Sequence, residues 1–191
     1  MSASPALSAL RRATAADHSA LEDEAAIERR LADPAVRTQM VLAFHRFHFG
    51  VEAAAHPLVA SLAGAFKPLA RSEGVARDLA DLGVVAPTPA APPPVATAGA
   101  ALGWVYVAEG SMLGGRIIRR RLAAAGCDLA GLSFLDPYGD QTGERWRAFQ
   151  TLLEQACADG AASVDQVVAG GLQGFAYARA TLAPLSQRAA A

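Results

Sequence analysis

The chain has 191 residues, of which 52% are apolar and 6% aromatic, and a formal net charge of −1. That is enough chain for one domain with a substantial core, and the near-neutral balance excludes the basic footprint of a nucleic-acid-binding protein. No apolar run reaches ~18 residues without a charge or a breaker, which excludes a membrane span.

Elements are expected in the following order. Ser8 to about Ala32 reads as a helix, with Leu7, Leu10, Thr14, Leu21 and Ala25 at three- to four-residue spacing. Asp33-Pro34 breaks it and starts a second helix, Ala35 to His56, with Val36, Met40, Phe44, Phe47 and Val51 on its apolar side. His56-Pro57 is expected to stop that helix, and Leu58 to Phe66 and Val75 to Leu82 read as shorter helices. Residues from about 84 to 98 carry Pro87, Pro89, Pro92, Pro93 and Pro94, a stiff extended connector. Ala100 to Ala125 is a long helix closed by Gly126. Asp136-Pro137-Tyr138-Gly139-Asp140 is turn chemistry. A helix opens at Thr142 or Gly143 and runs to about Ala158. The last runs from Ser163, a plausible N-cap, to about Leu182. No alternating strand pattern occurs. The fold class is all-α, a single-domain bundle of roughly seven to nine helices covering 1–191.

The stretch from Met1 to Leu10 lacks a basic region followed by an apolar core, so it does not read as a signal peptide. Cys127 and Cys157, far apart and outside any CxxC pattern, imply neither a zinc site nor a disulfide framework. Reduced thiols in a cytoplasmic protein are the expectation.

The long helix from Ala100 carries Gly110, Gly114 and Gly115 within six positions. Each mid-helix glycine costs roughly 1 kcal/mol against alanine, so helix stability is not their purpose. Two readings stand: a kinked backbone lying against a flat cofactor, or close helix–helix packing through small residues.

Two histidine patterns compete for a functional role. Arg11, Thr14 and His18 share one face of the first helix, with Glu22 a turn beyond. A neutral imidazole can ligate iron through one nitrogen while a carboxylate holds the other; the alternative is a surface histidine. His45, His48, Glu52 and His56 share a face of the second helix. A carboxylate-bridged di-iron bundle needs Glu-x-x-His motifs that the chain lacks, so a solvated, weakly titrating face is expected. Arg116, Arg119, Arg120 and Arg121 form a solvated helix end or a basic patch for an acidic partner. No Gly-x-Ser-x-Gly, P-loop or dinucleotide fingerprint is present.

Three segments together resemble the bacterial heme oxygenases, most closely those that supply biliverdin to bacteriophytochromes. Leu10 to Glu22 resembles the family's proximal helix. Gly103 to Ile118, above all Tyr106 to Gly115, resembles its distal helix. Tyr138 to Phe149 resembles the segment that opens a later helix. The resemblance implies a helical fold that holds heme between the first helix and a glycine-kinked distal helix. It implies His18 as the iron ligand, Glu22 as its carboxylate partner, and Thr14 and Tyr106 beside the cofactor. Gly110, Gly114 and Gly115 would bring backbone against the distal face, and Arg11 and Arg147 would meet the propionates. Thr151, one turn past Arg147, stands where a further basic residue is usual. Ser111 occupies the place of the distal aspartate of the animal enzymes, so backbone groups, Ser111 or another side chain would hold the waters over bound oxygen.

The implied activity is oxidative opening of heme b, substrate and oxygen activator at once, to biliverdin, CO and Fe²⁺. An imidazole ligand and the absence of a strong distal acid suit this chemistry, because thiolate ligation favours O–O cleavage. The chain shows no flavin or nicotinamide motif, so the electrons come from an external reductant, a ferredoxin or a flavoprotein reductase. A phytochrome is the implied recipient of biliverdin. Two other readings remain open: a helical heme carrier or sensor that does not degrade its ligand, and a non-heme di-iron oxidase.

Overall fold

The computed structural model describes residues 5–183; the ends, 1–4 and 184–191, lie outside it, and with them Met1 to Ser4 of the stretch considered for a signal peptide. Among the described residues the secondary structure is helical, with no strand. Helices α1 (Pro5–Ala25), α2 (Ile27–Ala32), α3 (Pro34–Ala60), α4 (Ser72–Asp81), α5 (Ala98–Ala124), α6 (Thr142–Ala158) and α7 (Val164–Leu182) are joined by turns that include short 3₁₀ segments at Ser133–Leu135 and Gly139–Gln141. None of these helices is long and apolar enough to cross a membrane.

Besides starts that shift by up to three residues, three differences from expectation stand out. The first helix is split at Ala26, which adopts a left-handed conformation (φ 43°), a strain of roughly 1–2 kcal/mol for a residue with a Cβ. The break turns α2 so that both Ala25 and Leu31 are fully buried. α3 does not stop at His56: it runs through Pro57 to Ala60. An interior proline costs about 3 kcal/mol, yet Val51, Ala55 and Val59 are buried on either side of it and hold the helix against the core, with the Pro57 ring on the solvent side. The short helix expected over Leu58 to Phe66 does not form. Lys67 Nζ donates to the carbonyls of Ala60 and Leu62 (2.9 and 3.0 Å) and ends α3 there.

Elsewhere local chemistry and structure agree. Thr97 Oγ1 accepts from the Ala100 amide (3.1 Å) and starts α5 after the proline connector. Ser163 and Gln166 form a reciprocal capping box at the start of α7. Glu154 of α6 accepts from the amides of Ala6 and Leu7 (3.3 and 2.8 Å), a carboxylate placed at the positive end of α1.

α7 is the backbone of the bundle, and its glycines set the approach of its neighbours. Both α1 and α5 pack mainly on α7 rather than on each other. A Cβ on Gly103 of α5 would collide with backbone atoms of Val167, Gly170 and Gly171, and one on Gly170 would collide with the Ala100 backbone. At Gly103 and Gly170 the missing side chains allow close helix–helix packing.

Candidate functional site

Contacts along α7 bring the two helices of interest to neighbouring heights. Gly171 faces Leu10 and Thr14 of α1, while Gly174 faces Trp104 and Val107 of α5. One residue on, the Phe175 ring meets His18 edge-on, with centroids 5.8 Å apart. α1 and α5 thus run up the same support, with His18 on one and the Gly110–Gly114 turn on the other just beyond the closest contacts.

His18 is 58% exposed, and its Nδ1 lies 3.6 Å from a Glu22 carboxylate oxygen. Nε2 makes no hydrogen bond with a described residue. The carboxylate stands near one nitrogen, just beyond hydrogen-bond distance, and an imidazole open at the other nitrogen has the form that a metal or heme ligand needs.

The glycines of α5 divide by direction. A Cβ on Gly114 would meet nothing within 4 Å, and one on Gly110 would touch only the Trp146 ring, at 3.7 Å. Leu113 and Ile117 beside them are 40% and 51% exposed, so this turn offers bare backbone and uncovered apolar side chains. Gly115 points elsewhere: its Cβ would sit 2.5 Å from the Leu135 carbonyl oxygen. Expected on the distal face, it is a packing glycine that lets the 3₁₀ segment lie against α5.

Two further expectations need correcting. Thr14 is buried, its hydroxyl donates to the Leu10 carbonyl (2.8 Å), and its methyl packs toward Gly171; it is not available to a ligand. His45, His48, Glu52 and His56 are not a solvated face. His45 and His48 are buried, and Glu52 accepts from the amides of Arg71 and Ser72 (2.6 and 2.7 Å) and from the Ser72 hydroxyl, holding the start of α4. Burial lowers all three histidine pKa values, His56 to about 4 and His48 well below the usual range. No cluster of potential metal ligands occurs among the described residues.

Tyr106 is half-buried against Trp146, with centroids 5.8 Å apart, and Trp146 in turn borders Gly110. The Ser111 hydroxyl donates to the Ala108 carbonyl (2.7 Å), so in this rotamer it offers a ligand only its lone pairs. Arg11 and Arg147 are exposed and form no ion pair with a described residue. The arginine run is partly committed. Arg116 donates to the Gly139 carbonyl and to Asp140 (both 2.7 Å), fixing the turn ahead of α6, and Arg121 pairs with Glu28 at 3.1 Å. Arg119 and Arg120 remain as the free part of the patch.

A buried polar cluster lies beside the Gly110–Gly114 turn, and the sequence reading did not find it. Glu109, adjacent to Gly110, is buried with Arg71 at 3.6 Å and Arg145 at 3.9 Å, and accepts from the Tyr138 hydroxyl (3.1 Å). Arg145 stacks over the Tyr138 ring at 4.4 Å. Burial raises the Tyr138 pKa, which keeps its hydroxyl a donor. Nη1 of Arg71, Nε of Arg145 and Nε2 of His48 are buried without a hydrogen-bond partner among the described residues, and buried polar atoms of this kind are met by ordered water. The one signal in the sequence was Glu109 itself, a lone charge in an apolar run; nothing there linked it to Arg71, Tyr138 and Arg145.

Comparison with known proteins identifies the family and the fold. The heme oxygenase family model matches residues 4–183. A heme oxygenase from Xanthomonas campestris pv. campestris is 39% identical over 94 residues, 49% of this chain and 56% of that protein, so the match spans about half the length of the curated relative. The solved NO- and CO-bound heme oxygenase from Neisseria meningitidis superposes with a TM-score of 0.75 at 24% identity, over 91% of this chain and 87% of the other. That likeness establishes the shared fold. With the family match running through all seven helices, the chain belongs to the heme oxygenase family.

Proposed function

We propose that this chain is a heme oxygenase that binds heme b between His18 of α1 and the Gly110–Gly114 turn of α5, and opens it with O₂ and external electrons to biliverdin, CO and Fe²⁺. The observation that carries the proposal is the pairing of an exposed, one-sided imidazole with an uncovered glycine turn on a common support, α7. Bound heme supplies both the iron that activates oxygen and the carbon framework that is oxidised.

The side chains divide the remaining work. His18 would hold the heme iron through Nε2, and Glu22 would orient the ring through Nδ1. Gly110 and Gly114 admit the macrocycle against bare backbone and limit the space over it. Leu113 and Ile117 cover apolar edge, which removes their exposed area from water. Arg11 and Arg147 meet the propionates with planar, permanently charged donors. No strong acid lies at the Gly110–Ser111 turn: Ser111 is a weak donor already turned to Ala108, and Glu109 is engaged by Tyr138 and two arginines. Water held by backbone groups and Ser111 would be the proton source there, and the lack of a strong acid would suit attack on the ring rather than O–O cleavage.

Arg119 and Arg120 offer a docking point for an acidic donor, a ferredoxin or a flavoprotein reductase. We read 1–191 as one domain acting in the cytoplasm and passing biliverdin to a phytochrome; a single continuous core supports the first of these points. The test is turnover. Hemin-loaded protein, reduced in air with ascorbate or a reduced ferredoxin, should lose its Soret band while a biliverdin spectrum grows. A ferrous complex that persists in oxygen without forming pigment would make the protein a heme carrier.

A further inference from the structure

A cavity lies away from α1, α7 and the glycine turn. It is a solvent-open pocket of about 280 Å³ where the α2–α3 corner meets the ends of α4 and α5, lined by Ala32, Pro34, Arg37, Thr38, Leu82, Cys127 and Asp128. Arg37 is only 5% exposed. Its Nε donates to the Leu31 carbonyl (2.7 Å) at the end of α2. Its two terminal nitrogens have no hydrogen-bond or ion-pair partner among the described residues. They are also not sealed from solvent, as the orphaned nitrogens of Arg71 and Arg145 are. The guanidinium therefore opens into the cavity with four of its five donors uncommitted. The α2 cap uses one of its bonds, and the other donors face whatever occupies the cavity, water or an anion.

The walls indicate which partner. A guanidinium fork matches an oxyanion of carboxylate or phosphate geometry. Ala32, Pro34 and Leu82 supply apolar surface, which favours an anion carrying a short aliphatic body over a bare inorganic ion. Asp128, also in the lining, accepts from the Ala130 amide of its own turn (3.0 Å), and a carboxylate there repels a dianion more strongly than a monoanion. We propose that this cavity is a binding site for a small, singly charged organic carboxylate, gripped by Arg37 with its aliphatic part against Ala32, Pro34 and Leu82.

Cys127 lines the cavity and is half-buried, which gives a local readout independent of heme. In full-length Cys157→Ser protein it is the sole thiol, and its alkylation by iodoacetamide can be followed with butyrate, the uncharged isostere butyramide, or inorganic phosphate present. Saturable protection by butyrate is expected, roughly tenfold at ten times its dissociation constant, with none from butyramide and less from phosphate. Arg37→Met should abolish the protection. Because Arg37 also caps α2, that variant could fail to fold, so Asp128→Asn provides a second arm. Its amide oxygen can still accept from Ala130, and losing the carboxylate charge should tighten butyrate about fivefold. Equal protection by butyramide, stronger protection by phosphate, no protection at all, or an Asp128→Asn variant that binds butyrate no better would each overturn the proposal.

Discussion

Substituting Gly103 and Gly114 separately distinguishes the two uses of glycine on α5. A Cβ at Gly103 would meet only backbone: the amide of Gly171, the carbonyl of Val167, and the Gly170 carbonyl carbon at 2.5 Å. None of these can rotate away, so α5 and α7 must separate by on the order of 1 Å along their most extensive contact. Overpacking of this kind costs about 1–3 kcal/mol, and the upper end applies because the obstacles are backbone. Against it stands the roughly 1 kcal/mol that alanine gains over glycine in a helix. Gly103→Ala should therefore lose about 2 kcal/mol. Gly114→Ala meets nothing within 4 Å and should gain up to about 1 kcal/mol in the apoprotein. Urea denaturation of both apoproteins reads a gap of about 3 kcal/mol between them, equivalent to melting temperatures about 6–12 °C apart. Hemin titration should reverse the ranking in function: Gly114→Leu should leave the apoprotein folded yet weaken hemin binding about tenfold or more, in proportion to the blocked approach. A neutral Gly103→Ala would refute the close α5–α7 contact. A Gly114→Leu variant that binds hemin normally would remove the turn from the site.

Other consequences follow from the charges. Glu109→Ala leaves Arg71 and Arg145 buried without their anion and should cost about 3–5 kcal/mol; Glu109→Gln, which keeps an acceptor for Tyr138, should cost less, and equal losses in chemical denaturation would contradict the cluster. His56 has its pKa lowered to about 4, chiefly by burial, with Glu52 opposing and Arg71 assisting. The unfolded chain therefore binds the proton more readily, so stability is full above pH ~6.5 and falls as pH drops from there toward ~4. The full shift is worth about 3 kcal/mol, and partial exposure of the ring to solvent reduces it to roughly 2 kcal/mol. His56→Gln should flatten that limb of the pH–stability curve, and an unchanged slope would show that the ring is not desolvated. Arg11→Glu should weaken hemin binding and shift the biliverdin isomer ratio, with the affinity loss shrinking at high salt; an unaltered product and affinity would place Arg11 away from the propionates.

Helix order was legible in the sequence because caps and breakers act locally. Thr97 and Ser163 carry their own hydrogen-bonding instructions, and the proline connector cannot be helical. What the chain hid was decided by contacts distant in sequence. Pro57 looked like a stop, but core burial on both sides outweighs its missing donor. The histidine face of α3 looked solvated because its cover, the start of α4 with Arg71 and Ser72, lies some twenty residues on. Thr14 and Gly115 share the spacing of their neighbours, yet each points toward a different element, α7 and the Ser133–Leu135 segment. Spacing marks a helix face; only packing decides what covers it. The same limit concealed the Glu109 cluster, whose members come from α5, α6, the start of α4 and the turn at Tyr138.

The claim on which the account rests is iron ligation by His18, and the absorption spectrum of the hemin complex tests it directly. Native protein should bind hemin with a sharp Soret band typical of an axial histidine, His18→Ala should lose it, and added imidazole should restore it. A His18→Ala protein whose spectrum and affinity match the native one without imidazole would place the heme, and the chemistry, elsewhere.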